Sequence, residues 1–114
     1  MKELEIIVFS PITDMRDVIV RVINNEEKWK GYGVPSLPEL MVLLKQKSID
    51  IVLFDAGVST EEEIEVSQKI KEVFPKTIII QHYGGGSGLL KNEIMSALEE
   101  KESGVDFIDD ANTK

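Results

Sequence analysis

The stretch Ile49-Asp50-Ile51-Val52-Leu53-Phe54-Asp55 decides the fold of this chain. Four consecutive apolar residues stand between its two aspartates, which is the pattern of a short strand covered on both faces of a parallel sheet. Asp55-Ala56-Gly57 follows, and residues of these types favour a turn. The stretch therefore predicts a central strand with Asp55 at its carboxyl end.

Similar apolar runs lie on both sides of this strand. Leu4–Phe9 and Thr77–Ile80 read as buried strands, and Val105–Ile108 as a last one. Trp29–Val34 carries two glycines and is read either as an edge strand or as an irregular turn.

Between the strands, apolar residues recur at helical spacing and predict four helices. The first starts with Pro11 at its first position and ends at Asn24-Asn25, and the second opens with a capping box at Ser36 and Glu39. The third starts at Ser59 or Thr60, and the fourth begins near Leu89. The apolar residues expected to be buried in the first helix are Met15, Val18, Ile19, Val22 and Ile23, with Arg16 on the other face. In the second helix they are Leu40, Leu43 and Leu44. In the third they are Ile64, Ile70, Val73 and Phe74.

Strands that alternate with helices predict a three-layer, doubly wound parallel sheet with five strands in the order 2-1-3-4-5. Residues 1–114 are expected to form one domain, with a polar tail from about residue 109. In such sheets ligands bind at the carboxyl ends of the strands. Ser10, Asp55, Gln81 and His82 should gather there.

Composition excludes several classes of function. The chain has 114 residues, no cysteine and a formal net charge of −8. Disulfides, thiolate metal sites and cysteine nucleophiles are therefore absent, and nucleic acid and anionic membranes are poor partners. No apolar run approaches the ~20 residues that a membrane-spanning helix needs. A cytoplasmic domain without a cofactor or a metal site is expected.

The stretch from Ser48 to Asp55 resembles the central strand of bacterial response-regulator receiver domains, in which an Asp and four mostly apolar residues precede the phospho-accepting Asp. Asp55 matches the acceptor and Asp50 the strand-opening position. Ala97–Ile108 is similar to the penultimate helix and final strand of the family. The resemblance implies a flavodoxin-like, receiver-like fold and a role in signalling.

The chain departs from the family at several functional positions. Ser10-Pro11 stands where receivers carry the acidic pair that binds magnesium, and Gln81 or His82 replaces the hydroxyl residue that closes the fourth strand. The family's lysine falls near Asp109-Asp110, and the final helix is missing. The chain is thus interpreted as a degenerate or pseudo-receiver that acts through protein partners or as a homodimer. An active receiver, phosphorylated at Asp55, is the second alternative.

The first alternative is a domain that binds a small molecule or a phosphoanion. The candidate loop is His82-Tyr83-Gly84-Gly85-Gly86-Ser87-Gly88, because glycines before a helix let backbone amides approach an anion. The same loop is also interpreted as a packing or partner contact. It matches neither a Walker loop nor a dinucleotide fingerprint.

Other residues favour structural interpretations. Ser10, Asp55 and His82 offer the residue types of a hydrolase, but no nucleophile elbow surrounds Ser10. Trp29 and Tyr32 read either as core or as a partner-binding surface. Glu61–Glu63 is the acidic first turn of a helix and a poor metal site, because adjacent carboxylates on a helix point in different directions.

Overall fold

The central strand lies inside a parallel sheet. The computed structural model describes residues 3–55, 57–81 and 87–102. Its strands are β1 (Leu4–Phe9), β2 (Trp29–Val34), β3 (Ile51–Phe54) and β4 (Ile78–Gln81), in the order β2-β1-β3-β4. This order confirms the predicted doubly wound arrangement. The predicted fifth strand, at 105–108, lies outside the described residues.

The two inner strands are buried along both faces, as their continuous apolar runs predict. Ile6–Phe9 in β1 and Ile51–Phe54 in β3 are at most 1% exposed. The β3 strand begins two residues later than predicted, but Asp50 is still tied to β1, because its Oδ2 accepts a hydrogen bond from the amide of Glu5 at 2.9 Å. Asp50 therefore fastens the start of β3 to its neighbour.

The helices lie on opposite faces of the sheet. These are α1 (Thr13–Asn24), α2 (Leu37–Gln46) and α3 (Thr60–Val73). The core between the sheet and the second and third helices contains Ile7, Phe9, Val52 and Phe54 from the strands, with Leu40, Leu44, Val66 and Ile70 from the helices. The rings of Phe9 and Phe54 meet edge to face at 5.5 Å between centroids. Side chains alternate along a strand, so the opposite face carries Ile6, Val8, Ile51 and Leu53.

The first helix covers the β2 end of that opposite face. A side chain on Gly31 would come within 3.0 Å of Ile23, which is fully buried. Glycine is therefore required where α1 approaches the strand closely. Trp29–Val34 is a strand at the edge of the described sheet and pairs along its whole length with β1. This resolves the alternative between strand and turn.

Several predicted burial stripes are wrong in part. Met15 and Val18 in α1 are 36% and 51% exposed, and Ile64 and Val73 in α3 are 53% and 50% exposed. Arg16, predicted on the outer face of α1, lies against Gly33 of β2. A helix resting on a sheet buries a narrow stripe, so apolar residues on its flanks remain exposed.

Two helix starts differ from prediction. The first helix begins at Thr13 after Ile12, so Pro11 precedes it. The second does begin after Ser36, but no capping box forms, because the Ser36 hydroxyl donates to the Glu39 carboxylate at 3.4 Å and caps no amide. The third begins as predicted, with Ser59 Oγ accepting from the amide of Glu62 at 3.1 Å.

The last described helix, α4 (Ser87–Glu102), belongs to a separate compact unit, Gly85–Lys114. Ser87 and Gly88, predicted as the end of a loop, form its first turn. Over the described part of the chain, no helix is long and apolar enough to cross a bilayer.

Candidate functional site at the carboxyl edge of the sheet

Ser10 and Asp55 follow directly after the two inner strands. Phe9 and Phe54 are register partners, so the residues after them emerge side by side at the carboxyl edge. Ser10 is fully buried and Asp55 is 4% exposed, and they are the buried polar side chains among the described residues. Gln81 ends β4 opposite Phe54 and is exposed. The structure thus brings these three predicted residues to one edge.

The carboxylate of Asp55 is turned into its own loop. Its Oδ1 accepts a hydrogen bond from the amide of Gly57 at 2.7 Å, and its backbone carbonyl accepts from the amide of Val58 at 3.2 Å. This is the local turn that aspartate forms readily with the backbone two residues on. The other oxygen, Oδ2, is buried and has no hydrogen-bond partner among the residues that the structure describes. A buried polar atom in that state is costly and marks the site as unusual.

Ser10 is likewise engaged with its own turn. Its Oγ accepts from the amide of Ile12 at 3.1 Å, and its amide donates to the carbonyl of Val34 at 3.1 Å. The hydroxyl therefore shapes the connection between β1 and α1. It is not directed at Asp55.

Ile12 lies over the loop that Asp55 organises. A Cβ added to Gly57 would stand 2.5 Å from Ile12 Cδ1 and 3.2 Å from Asp55 Oδ1. The isoleucine side chain therefore packs directly on Gly57, beside the carboxylate. An aliphatic group thus occupies the space next to Asp55.

Arg16 holds the same turn from the other side. Its Nη1 donates to the carbonyl of Ser10 at 2.9 Å, and its side-chain carbons lie against Gly33. Sequence reasoning missed both Ile12 and Arg16. For Arg16 the available signal was its spacing of three and seven residues before Ile19 and Ile23, which places it on the buried side of α1.

Tyr32 and Trp29 are half-buried in β2. The Tyr32 hydroxyl donates to Glu5 Oε1 at 2.7 Å, and the ammonium of Lys47 lies 5.3 Å from the centre of its ring. Partial burial, then the hydrogen bond to Glu5, raises the pKa of Tyr32 to about 12. Tyr32 therefore belongs in part to the packing and in part to the surface of the edge strand.

The remaining predicted site residues are not placed. His82, Tyr83 and Gly84–Gly86 lie outside the described residues, so the glycine loop and the Ser10–Asp55–His82 combination stay predictions. In the described part, no group of three or more His, Asp or Glu side chains is arranged to hold a metal ion.

Known structures with the same fold are receiver domains. The signal receiver domain of an HD domain-containing protein from Pseudomonas fluorescens Pf-5 is 13% identical, with a TM-score of 0.75 over 90% of this chain and 99% of that one. A CheY-like response regulator receiver domain protein from Methanospirillum hungatei JF-1 is 14% identical, with a TM-score of 0.74 over 90% and 98% of the two chains. A response regulator receiver domain protein from Clostridium thermocellum is 14% identical, with a TM-score of 0.71 over 88% of this chain and 98% of that one.

Sequence comparison adds no closer relative. No family model matches the chain, and no curated protein matches it significantly. At identities of 13–14%, the structural likeness speaks for the fold. Together with the strand order and the buried Asp55 at the end of β3, it leads to one conclusion: this chain has the fold of a response-regulator receiver domain.

Proposed function

We propose that this chain is a non-catalytic regulatory domain that works through protein contacts and is not phosphorylated at Asp55. The observation that carries the proposal is the environment of Asp55. The Asp55 residue is 4% exposed, one of its carboxylate oxygens accepts a hydrogen bond from the amide of Gly57, and Ile12 packs on Gly57 beside it. A phosphoryl donor needs access to an acceptor oxygen and a cation to balance the transferred charge.

The residues at this edge do not fit the magnesium ion that the receiver resemblance implies. Mg²⁺ prefers an octahedral set of oxygens, usually with carboxylates among them. Ser10 and Pro11 stand where the acidic pair is expected, and the Ser10 hydroxyl is occupied by the amide of Ile12. Within residues 3–55, 57–81 and 87–102, no group of three or more His, Asp or Glu side chains is arranged to hold a metal ion, and Asp55 Oδ2 has no hydrogen-bond partner there.

The cationic side chain expected near a phosphorylated aspartate is also replaced. By the resemblance to receiver domains, the place of the family's lysine in the sequence falls near Asp109 and Asp110. Carboxylates in place of that lysine would repel an acyl phosphate, which carries close to two negative charges. The negative charge expected at the lysine position and the burial of Asp55 therefore both argue against phosphorylation of Asp55.

Protein contacts remain as the means of signalling. Several helix side chains are apolar and about half exposed, namely Val18, Val42, Ile64, Val73 and Met95. Single exposed apolar residues are common, but together they offer several faces to a partner or to a second copy of the chain. Sedimentation equilibrium distinguishes the homodimer from the monomer that needs another partner. The acidic, cysteine-free composition suits a cytoplasmic domain.

Treatment with acetyl phosphate and magnesium chloride, followed by intact mass spectrometry, tests the proposal. We expect no added phosphate on the wild-type chain, while a phosphate-accepting receiver treated in parallel gains one. Ile12→Ala distinguishes restricted access to Asp55 from the lack of magnesium ligands. It opens the space beside Asp55, but it does not supply the acidic pair that receivers carry. Phosphate on the wild type that disappears in Asp55→Asn would overturn the proposal.

A further inference from the structure

One side of α1 carries an apolar stripe that is not buried on the sheet. Met15, Val18 and Val22 follow one another at spacings of three and four residues, so they line one side of the helix. They lie beside Ile19 and Ile23, which face the sheet. Met15 is 36% and Val18 is 51% exposed, and Val22 is half-buried. This is the spacing with which one helix packs along another.

Two opposite charges border this stripe. Asp14 and Arg21 are exposed and seven residues apart, which is about two helical turns, so they share one side of the helix next to Val18. Neither side chain forms an ion pair or a hydrogen bond within the part of the chain that the structure describes. The helix dipole favours an acid at the start and a base near the end, but it does not require them to share a side.

The remaining charges of α1 leave this pair uncovered. Arg16 is bound to the carbonyl of Ser10, and Asp17 lies further round the helix from the stripe than either Asp14 or Arg21. The helix thus holds two acids and two bases, and it is locally neutral in a chain with a net charge of −8. A second acidic chain therefore meets little net repulsion at this helix.

The elements around α1 add no charge beneath the stripe. The charged residues of the two strands under it are Glu5 and Lys30, which alternate onto the opposite face of the sheet, together with Ile7 and Val34. The charged turn at 26–28 follows only after the helix has ended. Asp14 and Arg21 are therefore the charges that an approaching helix would meet.

A second copy of α1 matches this pair when it runs in the opposite direction. In a two-fold dimer every contact occurs twice, so a residue of one copy meets its counterpart's partner residue and the reverse. Two antiparallel helices related in this way turn the same flank toward each other, and Asp14 of each copy meets Arg21 of the other. A parallel pair brings opposite flanks together and leaves these charges apart. The surface is therefore complementary to itself.

We infer that α1 is an interface at which two copies of the chain pair as antiparallel helices. Met15, Val18 and Val22 pack at its centre, and Asp14 lies against Arg21 of the other copy at both ends. The inference rests on the proposed function, since it names a second copy as the protein partner. One pair of 12-residue helices buries less than the roughly 1,600 Å² of a standard interface, so the dimer is weak.

Charge reversal tests the pairing directly. Sedimentation equilibrium of the full 114-residue chain, up to about 1 mM, should show monomers in equilibrium with dimers. Asp14→Arg and Arg21→Asp each place like charges at both ends of the interface, and each should raise the dissociation constant by about tenfold. An equimolar mixture of the two variants should associate again, because each supplies the charges that the other lacks. The double variant should dimerise for the same reason.

Matched variants make the test specific. Asp17→Arg makes the same change in residue type and net charge as Asp14→Arg, but away from the stripe, and should stay within about twofold of the wild type. Val18→Asp should weaken the dimer by about tenfold, because an apolar contact is lost at the centre. Val42→Asp changes a valine of similar exposure in α2 and should not. Association in the mixture also shows that both reversed variants are folded.

Three outcomes would overturn the inference: a wild-type chain that stays monomeric at about 1 mM, a dimer that both charge reversals leave unchanged, or a mixture of the two variants that stays monomeric. The first would leave a different protein as the partner, and the second would indicate another face. None of them bears on phosphate transfer to Asp55, which the acetyl phosphate treatment measures. The dimer and the proposed function therefore fail separately.

Discussion

At the carboxyl edge, the two oxygens of one side chain have different surroundings. Asp55 Oδ1 is satisfied by the amide of Gly57, and Oδ2 is buried with no hydrogen-bond partner in the described part of the chain. The first oxygen stabilises the turn after β3. The second is locally unfavourable, because a buried polar atom without a hydrogen-bond partner is costly. Residues that are unfavourable for stability are typical of positions where function and stability compete.

Substitutions at Asp55 test the acceptor role of Oδ1. Asp55→Asn retains an oxygen that can accept from Gly57, so it should cost less stability than a substitution that removes the acceptor. Asp55→Ala removes the acceptor and should cost about 1 kcal/mol or more. Urea denaturation of the three proteins measures the difference. Equal losses for the two variants would contradict the role of Oδ1 as the acceptor for Gly57.

Tyr32 makes stability depend on alkaline pH. Its pKa rises from 10.0 to about 12 in the folded chain, so the folded state holds the proton more tightly than the unfolded state. This contribution is fully present below pH 10 and is lost as pH rises through about 12. We expect Tyr32→Phe to flatten the fall in unfolding free energy over that range. Tyr83→Phe is the matched tyrosine control, and an unchanged slope in Tyr32→Phe would reject the assignment.

At the scale of the elements, two serines precede helices but act differently. Ser59 caps α3 by accepting from the amide of Glu62, whereas Ser36 before α2 caps no amide. Ser59→Ala should therefore destabilise the chain by about 1 kcal/mol. Ser36→Ala should cost clearly less. Chemical denaturation decides, and a larger loss for Ser36→Ala would refute the distinction.

The two glycines of β2 differ in what they face. A methyl group on Gly31 would press on the fully buried Ile23, including its Cβ at 3.2 Å, which cannot move away from its helix. A methyl group on Gly33 would meet the flexible Arg16 side chain at 3.1 Å. Gly31→Ala should thus cost about 1–3 kcal/mol, the range for overpacking, and Gly33→Ala less. Thermal unfolding of both variants tests the order, which would be reversed if Arg16 were the more rigid neighbour.

At the scale of the whole molecule, charge opposes the folded state. A net charge of −8 on 114 residues produces mutual repulsion that the compact chain feels more strongly than the unfolded one. Raising the sodium chloride concentration from about 0.01 M to about 0.2 M should raise the unfolding free energy. At about 0.1 M, repulsion between exposed charges more than roughly 10 Å apart is largely screened. Sucrose serves as the uncharged control. Stability that falls with sodium chloride over this range would indicate that attractive ion pairs dominate.

The sequence by itself determined the order of the elements, the central strand and the position of Asp55 at its end. These follow from local patterns: continuous apolar runs for covered strands, helical spacing between them, and turn residues after Phe54. The edge strand Trp29–Val34 was ambiguous because glycines are uncommon inside strands, and the neighbours that its two glycines face, Ile23 and Arg16, lie elsewhere in the chain.

Only the tertiary structure decided which apolar residues are buried and what surrounds Asp55. Val18 and Ile64 fit the spacing of a buried stripe as well as Ile19 and Ile70 do, but a helix on a flat sheet covers a narrow strip. The Ile12 side chain beside Asp55 and the Arg16 bond to Ser10 join different elements. Such contacts depend on the distances between strand ends and helices in the folded chain, and a pattern along the sequence does not contain those distances.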